Sequence, residues 1–303
     1  MTWNVDGSSP SAPASPAAVT LHLGAHKTAS THLQKALLAH RDALSSFGCC
    51  YLGPDALRKR NARAALGQGK PANIVNRMLG QASQTGQRVL LSDENILGRP
   101  HPPFIADGEC LYPHAEARVG AFLSGYGIGQ VTLALSLRDP LGFLVSAHGH
   151  QAMAGRPTLF EDFVNGVAPL ALRWSDMIAR LLQCTEVTRI ILWRFEDYPR
   201  IAPKVVSELA GNTHAGAILA ADIAPRLTGI SAQALQNAQV ALADDPARDP
   251  KRTVRQHMRR YPKSAQYPAL QPFSPACVAH SRGQYDRDWD QLATWPRVTC
   301  LTL

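Results

Sequence analysis

Lys27 stands in a run of small and polar residues, Lys27-Thr28-Ala29-Ser30-Thr31, three positions after Gly24. An ammonium group, nearby hydroxyls and closely spaced backbone N–H groups are the components of an oxyanion site. Gly24, Ala25 and His26 open the run, and a helix-like pattern follows it, so a helix start is expected to face the same anion. The usual occupant of such a loop is a nucleoside triphosphate, but that loop needs G-x-x-x-x-G-K-[ST]. Here His26 stands where that loop has its second glycine, and the spacing is G-x-x-K-T-x-S-T. The amides from Lys27 to Thr31 are still expected to point at one oxyanion. Lys27 adds a mobile charge, and Ser30 and Thr31 add hydroxyl donors. Donors fixed before a reaction are suited to holding a leaving phosphate.

The elements that position this loop follow from apolar patterning. Val19–Leu23 reads as a strand, and the helix after the loop carries Leu33, Ala36, Leu37 and Leu44 on one side, stopping near Gly48. Cys49–Leu52 and Arg88–Ser92 read as short strands, with a helical or irregular connection over Asp55–Gln84 between them. Arg99–Pro113, rich in Pro and His, is expected to be a loop, and Tyr112–Ser124 a helix. Val131–Leu137 is apolar at nearly every position, as a strand covered on both faces should be. Asp139 followed by Pro140 is a strong helix start, and that helix should run to about Ala154. Thr158 and Glu161 have capping-box spacing. Pro169–Gln183 reads as a helix, Arg189–Trp193 as a strand and Ile201–Leu209 as a helix. Beyond Pro225 no strand is expected, only helices over Ser231–Ala243, Thr253–Arg260 and Pro275–Leu292.

Strands alternating with helices predict an α/β fold: a three-layer sandwich with a central, mostly parallel sheet. The Ser/Pro/Ala-rich residues 1–18 read as a flexible tail, and 19–303 as a single domain whose last part, about 225–303, is a helical, loop-rich cover. The formal net charge of +8 favours an acidic ligand, and fits a solvated basic surface equally well. No apolar run reaches the roughly 18 residues of a membrane span. The six cysteines lack C-x-x-C spacing, which argues against a zinc site or a disulfide framework and points to a reducing cytoplasm.

The Lys27–Thr31 loop resembles the 5′-phosphosulfate loop, K-x-G-[TS]-[TS], of the sulfotransferases that use 3′-phosphoadenosine 5′-phosphosulfate (PAPS). Ala29 takes the place where glycine is usual, so a positive φ there would carry strain. A second motif strengthens the resemblance. Arg138-Asp139-Pro140 follows the Val131–Leu137 strand, and Ser146 stands eight residues after Arg138. In that family the arginine and serine hold the 3′-phosphate of the cofactor, and a guanidinium fork suits a phosphate. The resemblance implies the P-loop-like sulfotransferase architecture. It also implies PAPS as sulfuryl donor, adenosine 3′,5′-bisphosphate (PAP) as product, and a hydroxyl or amine acceptor. The acceptor class stays open between a saccharide, a lipid headgroup and a small metabolite. Cofactor contacts would come from Gly24, Ala25, His26, Lys27, Thr28, Ala29, Ser30, Thr31, Arg138 and Ser146, with no metal.

On the same resemblance Lys27 neutralises the leaving phosphate, and a glutamate or histidine removes the acceptor's proton. Glu94 is the leading candidate because it follows a strand, with Asp93 as its competitor. His148 and His150 read first as structural or substrate-lining residues. The basic run of Lys251, Arg252, Arg255, Arg259, Arg260 and Lys263 reads as a solvated face or a cover over an anion, with nucleic acid a poor third. Two alternatives remain: a non-catalytic adenosine-nucleotide binder and a kinase-like phosphotransferase.

Overall fold

Each stretch of continuous apolar character becomes a strand of one sheet, because both faces of that sheet are covered. The computed structural model describes residues 17–58, 73–219 and 229–303. In chain order its elements are β1 (Val19–Gly24), α1 (Ser30–Ala39), α2 (Arg41–Ser46), β2 (Cys49–Leu52), α3 (Asn73–Thr85) and β3 (Arg88–Ser92). Then follow β4 (Ala106–Asp107), β5 (Cys110–Leu111), α4 (Ala115–Gly125), β6 (Val131–Leu137), α5 (Pro140–Met153), α6 (Phe160–Phe163) and α7 (Trp174–Leu181). The chain ends with β7 (Val187–Arg194), α8 (Tyr198–Ala210), α9 (Ala232–Asp244), α10 (Pro250–Arg260), α11 (Pro275–Ala293) and β8 (Val298–Leu301). The expected tail lies outside the described residues up to position 16, as do 59–72 of the Asp55–Gln84 connection and the Pro225 boundary.

The main sheet runs β2-β3-β1-β6-β7-β8, and every pairing in it is parallel. Successive side chains point to opposite faces. Leu21, Leu23, Val89, Leu91, Leu133, Leu135 and Leu192 enter one core, under α4, α5, α7 and α11. Leu90, Ala134, Ile191 and Trp193 enter the other, under α1, α2 and α8. Sheet between two helical layers is the three-layer arrangement expected. A smaller cluster joins the end of α5 to α9 and α10 through Ala152, Ile230, Leu235 and Val254. Trp174 and Trp193 are core residues.

Chain order reverses at the sheet centre. From β1 the chain goes to the edge strand β2 and comes back to β3 beside β1, then crosses to the other side of β1 for β6, β7 and β8. Ligand clefts in open α/β sheets lie at the carboxyl ends of strands at such a switch point. Gly24 ends β1, Ser92 ends β3, Leu137 ends β6 and Arg194 ends β7, so the residues just beyond them meet at one edge.

Several expectations are corrected. A strand does exist beyond Pro225: β8 pairs with β7, Val298 opposite Ile190. Its four residues are too short a run to signal a strand, and half of them are only partly buried. The Arg99–Pro113 loop contains the β4–β5 ladder, closed by Gly108 at φ +53°. Tyr112 is not helical; it sits at φ +47° and α4 begins at Ala115. Thr158 does not cap a helix, since α6 starts at Phe160 without a side-chain cap. The Pro169–Gln183 helix begins only at Trp174. There Asp288 of α11 accepts from the amides of Trp174 at 2.8 Å and Ser175 at 3.2 Å, a cap supplied from a distant helix. The Asp139 cap behaves as read, accepting from the Gly142 amide at 2.9 Å, and Ser231 and Ser274, which the sequence reading did not single out, cap α9 and α11.

Candidate active site

The loop between β1 and α1 turns tightly because Gly24, Lys27 and Ala29 take φ of +92°, +61° and +64°. Ala29, at the glycine position of the resembled motif, is left-handed. The turn is pinned from inside. The Ala25 amide donates to the Ser136 carbonyl at 3.1 Å, and the Thr28 hydroxyl donates to the Ala25 carbonyl at 2.7 Å. By contrast, the amides of Lys27 through Thr31 and the hydroxyls of Ser30 and Thr31 have no hydrogen-bond partner among the described residues. They crown the N-terminus of α1, a helix of 10 residues with no side-chain cap. Left-handed residues in such a turn aim successive N–H groups into one concavity, and the helix terminus adds partial positive charge. Half-buried Lys27 has no ion pair among the described residues. Burial lowers its pKa, Arg138 lowers it further, and Glu94 opposes both.

Arg138 joins this loop to the rest of the edge. Its Nη1 donates to the Lys27 carbonyl at 3.1 Å, and its guanidinium lies 4.6 Å from the centre of the Phe195 ring. The Arg138 carbonyl accepts from Trp174 Nε1 at 2.7 Å, and Asp139 also accepts from the Ser281 hydroxyl at 2.6 Å. Sheet, α5, α7 and α11 therefore all anchor the backbone from which this guanidinium projects. Ser146, further along α5, faces the same cleft, and its hydroxyl is unpartnered among the described residues.

The cleft itself measures about 1720 Å³. That exceeds the ~300–1,000 Å³ of a typical small-molecule site. His26, Lys27, Ala29, Ser30, Thr31, Glu94, Arg138 and Ser146 line it. Of the residues expected there, Gly24, Ala25, Thr28 and Asp93 do not. Gly24, Ala25 and Thr28 shape the loop from behind.

Asp93 and Glu94 have different surroundings. Asp93 is buried, receives Arg58 Nη2 at 2.7 Å and Nε at 3.1 Å, and accepts the Asn95 amide at 2.9 Å. Its carboxylate is therefore fully engaged in holding the turn after β3. Glu94 lines the cleft, with Gln34 Nε2 2.6 Å from Oε2 and Arg58 Nη2 3.0 Å from Oε1. Burial alone would raise the Glu94 pKa. The Gln34 bond, its own backbone, His26 and Arg58 outweigh it, and the pKa ends below the usual glutamate value.

His26 is held at both ring nitrogens. Tyr112 Oη lies 2.9 Å from Nδ1 and also accepts the His26 amide at 3.1 Å. With the Asn95 amide turned so that its oxygen faces Arg58, its nitrogen donates to Nε2 at 3.1 Å. Tyr112 is fully buried, and its carbonyl accepts from Arg180 at 3.0 Å. Sequence reading missed this residue, because nothing in a Pro- and His-rich loop marks one tyrosine as the support of another loop.

Arg194, the last residue of β7, and Glu196, just beyond it, also line the cleft. Arg194 pairs with Asp286 at 2.6 Å and lies 4.9 Å from the ring centre of Tyr285 and 5.1 Å from that of Trp289. Its Nε is buried without a partner among the described residues. Burial raises the Glu196 pKa, with Arg138 opposing. A signal existed here: an Arg and a Glu at the carboxyl end of a strand. His148 is buried against Phe160 and Phe163, with Nε2 2.8 Å from the Thr158 carbonyl. His150, on the cleft side of α5, is half-exposed. Of the basic run, only Lys263 reaches the cleft, and Lys251, Arg252, Arg255, Arg259 and Arg260 are exposed on α10.

No protein-family model matches the chain, and no curated protein matches it. Among the described residues no helix is long and apolar enough to cross a membrane, and no group of three or more His, Cys, Asp or Glu is placed to hold a metal ion.

Proposed function

We propose that the protein is a PAPS-dependent sulfotransferase with the P-loop-like architecture of that family. The observation that carries the reading is the hydrogen bond from Arg138 to the Lys27 carbonyl. It brings two anion-binding motifs, more than a hundred residues apart in sequence, to one cleft. Their donor sets fit the two charged ends of the cofactor. The free amides of residues 27–31, Ser30, Thr31 and the Lys27 ammonium suit the 5′-phosphosulfate. Arg138 and Ser146 suit the 3′-phosphate. When bound, PAPS supplies the sulfuryl group.

The chain's own residues bind, orient and neutralise. Lys27 and the loop amides stabilise charge that grows on the departing phosphate oxygen, and each preorganised donor of this kind contributes about 3 kcal/mol. The cleft is large enough to hold an acceptor beside the cofactor. Glu94 and His150 are the wall residues to consider for the acceptor's proton.

Calorimetric titration tests the reading. PAP is expected to bind more tightly than AMP, and Lys27→Ala is expected to cut transfer by a factor of about 10²–10³. Equal affinity for PAP and AMP would sink it.

A further inference from the structure

Resting on the sulfotransferase reading, we propose that His150 is the catalytic base that takes the acceptor's proton, and that Glu94 is a fixed anion of the cleft wall.

On this wall Glu94, His26 and His148 are already committed, and Glu196 stands beside Arg138, where it accepts from the Tyr285 hydroxyl at 3.4 Å. Glu94 has donors on both oxygens, Gln34 at 2.6 Å and Arg58 at 3.0 Å. A carboxylate held in this way, with its acidity strengthened, accepts a proton poorly. His26 has both ring nitrogens bonded, to Tyr112 and Asn95. His148 is 1% exposed, and its Nε2 faces the Thr158 carbonyl, which forces the proton onto that nitrogen. The remaining lone pair, on His148 Nδ1, is buried.

His150 differs in each respect. It lies one helical turn beyond Ser146 on α5, so both side chains face the cleft. Its imidazole makes no hydrogen bond among the described residues. Burial lowers its pKa, the charges of Lys27 and His26 lower it further, and Glu94 raises it. The ring is therefore neutral at pH 7 and within electrostatic reach of Lys27, where the leaving phosphate would be held. Those three are the titratable groups whose charge reaches it. The neighbour of adjacent Gly149 is the apolar Ile230, and Lys251 of α10 lies beside Gly155, beyond the end of the helix.

The step balances without another reactant. A lone pair of the acceptor oxygen forms the new S–O bond. The S–O bond to the 5′-phosphate breaks, and its electron pair stays on the phosphate oxygen beside Lys27. The acceptor's O–H proton passes to the imidazole of His150, which returns it to water.

The test uses the full chain with water as the acceptor probe. Release of labelled sulfate from PAPS is followed under single turnover from pH 5 to 9, with PAP affinity measured in parallel by calorimetry. For His150→Asn, PAP affinity is expected to stay within about twofold. The rate is expected to fall by about 10²-fold, and the acid limb of the pH profile, below the ordinary histidine pKa of about 6.5, should disappear. Glu94→Gln should keep that acid limb. A His150→Asn protein with the wild-type rate, or with the acid limb intact, overturns the assignment while PAP binding leaves the sulfotransferase reading standing. Wild-type protein that binds PAP but releases no sulfate overturns it too. Wild-type protein without preference for PAP removes the reading and the assignment together.

Discussion

Replacing Tyr112 by phenylalanine removes one oxygen from the core beneath the loop and leaves the ring in place. That ring packs against Phe143 and Trp174, with centroids 6.0 and 6.3 Å away, and phenylalanine keeps both contacts. What disappears is the hydroxyl that holds the His26 amide at 3.1 Å and Nδ1 at 2.9 Å. His26 is 4% exposed, so water does not readily replace it. A buried polar group left without a partner costs about 1–3 kcal/mol, so two such groups on one residue give a loss of about 2–6 kcal/mol. For a domain that takes in residues 19–303 each kcal/mol shifts the melting temperature by about 2 °C, so a drop of roughly 4–12 °C is expected. Urea unfolding at pH 7 measures it, with the m-value unchanged because the exposed surface is the same. PAP affinity should fall in parallel, since the loop loses its support from below. A Tyr112→Phe protein within about 0.5 kcal/mol of wild type, the scatter of a neutral substitution, with wild-type PAP affinity, would refute the view that this hydroxyl holds the loop.

Acid should weaken the fold through His22. Burial beside Ser92 lowers its pKa to about 4, with Glu94 opposing. The unfolded chain takes up the proton near pH 6.5 and the folded one only near pH 4, so stability is complete above that range and is lost as the pH falls through it. About 2.5 units at ~1.4 kcal/mol each give a loss of roughly 3 kcal/mol, and His22→Asn should flatten the dependence between pH 7 and 4.5 in urea titrations. An unchanged slope in the variant would assign the acid sensitivity elsewhere. Gly24→Ala should cost about 2–4 kcal/mol, because φ is +92° and the new Cβ would lie 2.9 Å from Glu94 Cβ. Gly48, at φ +79° with nothing within 4 Å, is the control, and Gly48→Ala should lose only the backbone share, about 1–2 kcal/mol. Equal losses in the two variants, read by urea unfolding, would show that the Glu94 contact is not tight.

The sequence by itself determined whatever depends on near neighbours along the chain. Continuous apolar runs such as Val131–Leu137 marked strands covered on both faces, because burial on two sides leaves no polar position. Asp139-Pro140 marked the start of α5, because a cap and its amide lie three residues apart. Gly24 through Thr31 marked a tight turn of consecutive backbone donors at the start of α1, because those donors are neighbours in the chain. Tertiary structure decided what depends on contacts between distant segments. Asp288 sets the first residue of α7 from 114 positions away. Tyr112 supports His26 across 86 positions, and Arg138 reaches the Lys27 carbonyl across 111. Chemical character divides in the same way. Asp93 and Glu94 are adjacent acids, yet one is consumed by Arg58 and a backbone amide while the other faces the cleft. Only the packing of the neighbouring elements distinguishes them, because desolvation and nearby charge set the affinity of a group for its proton, and residue type alone does not.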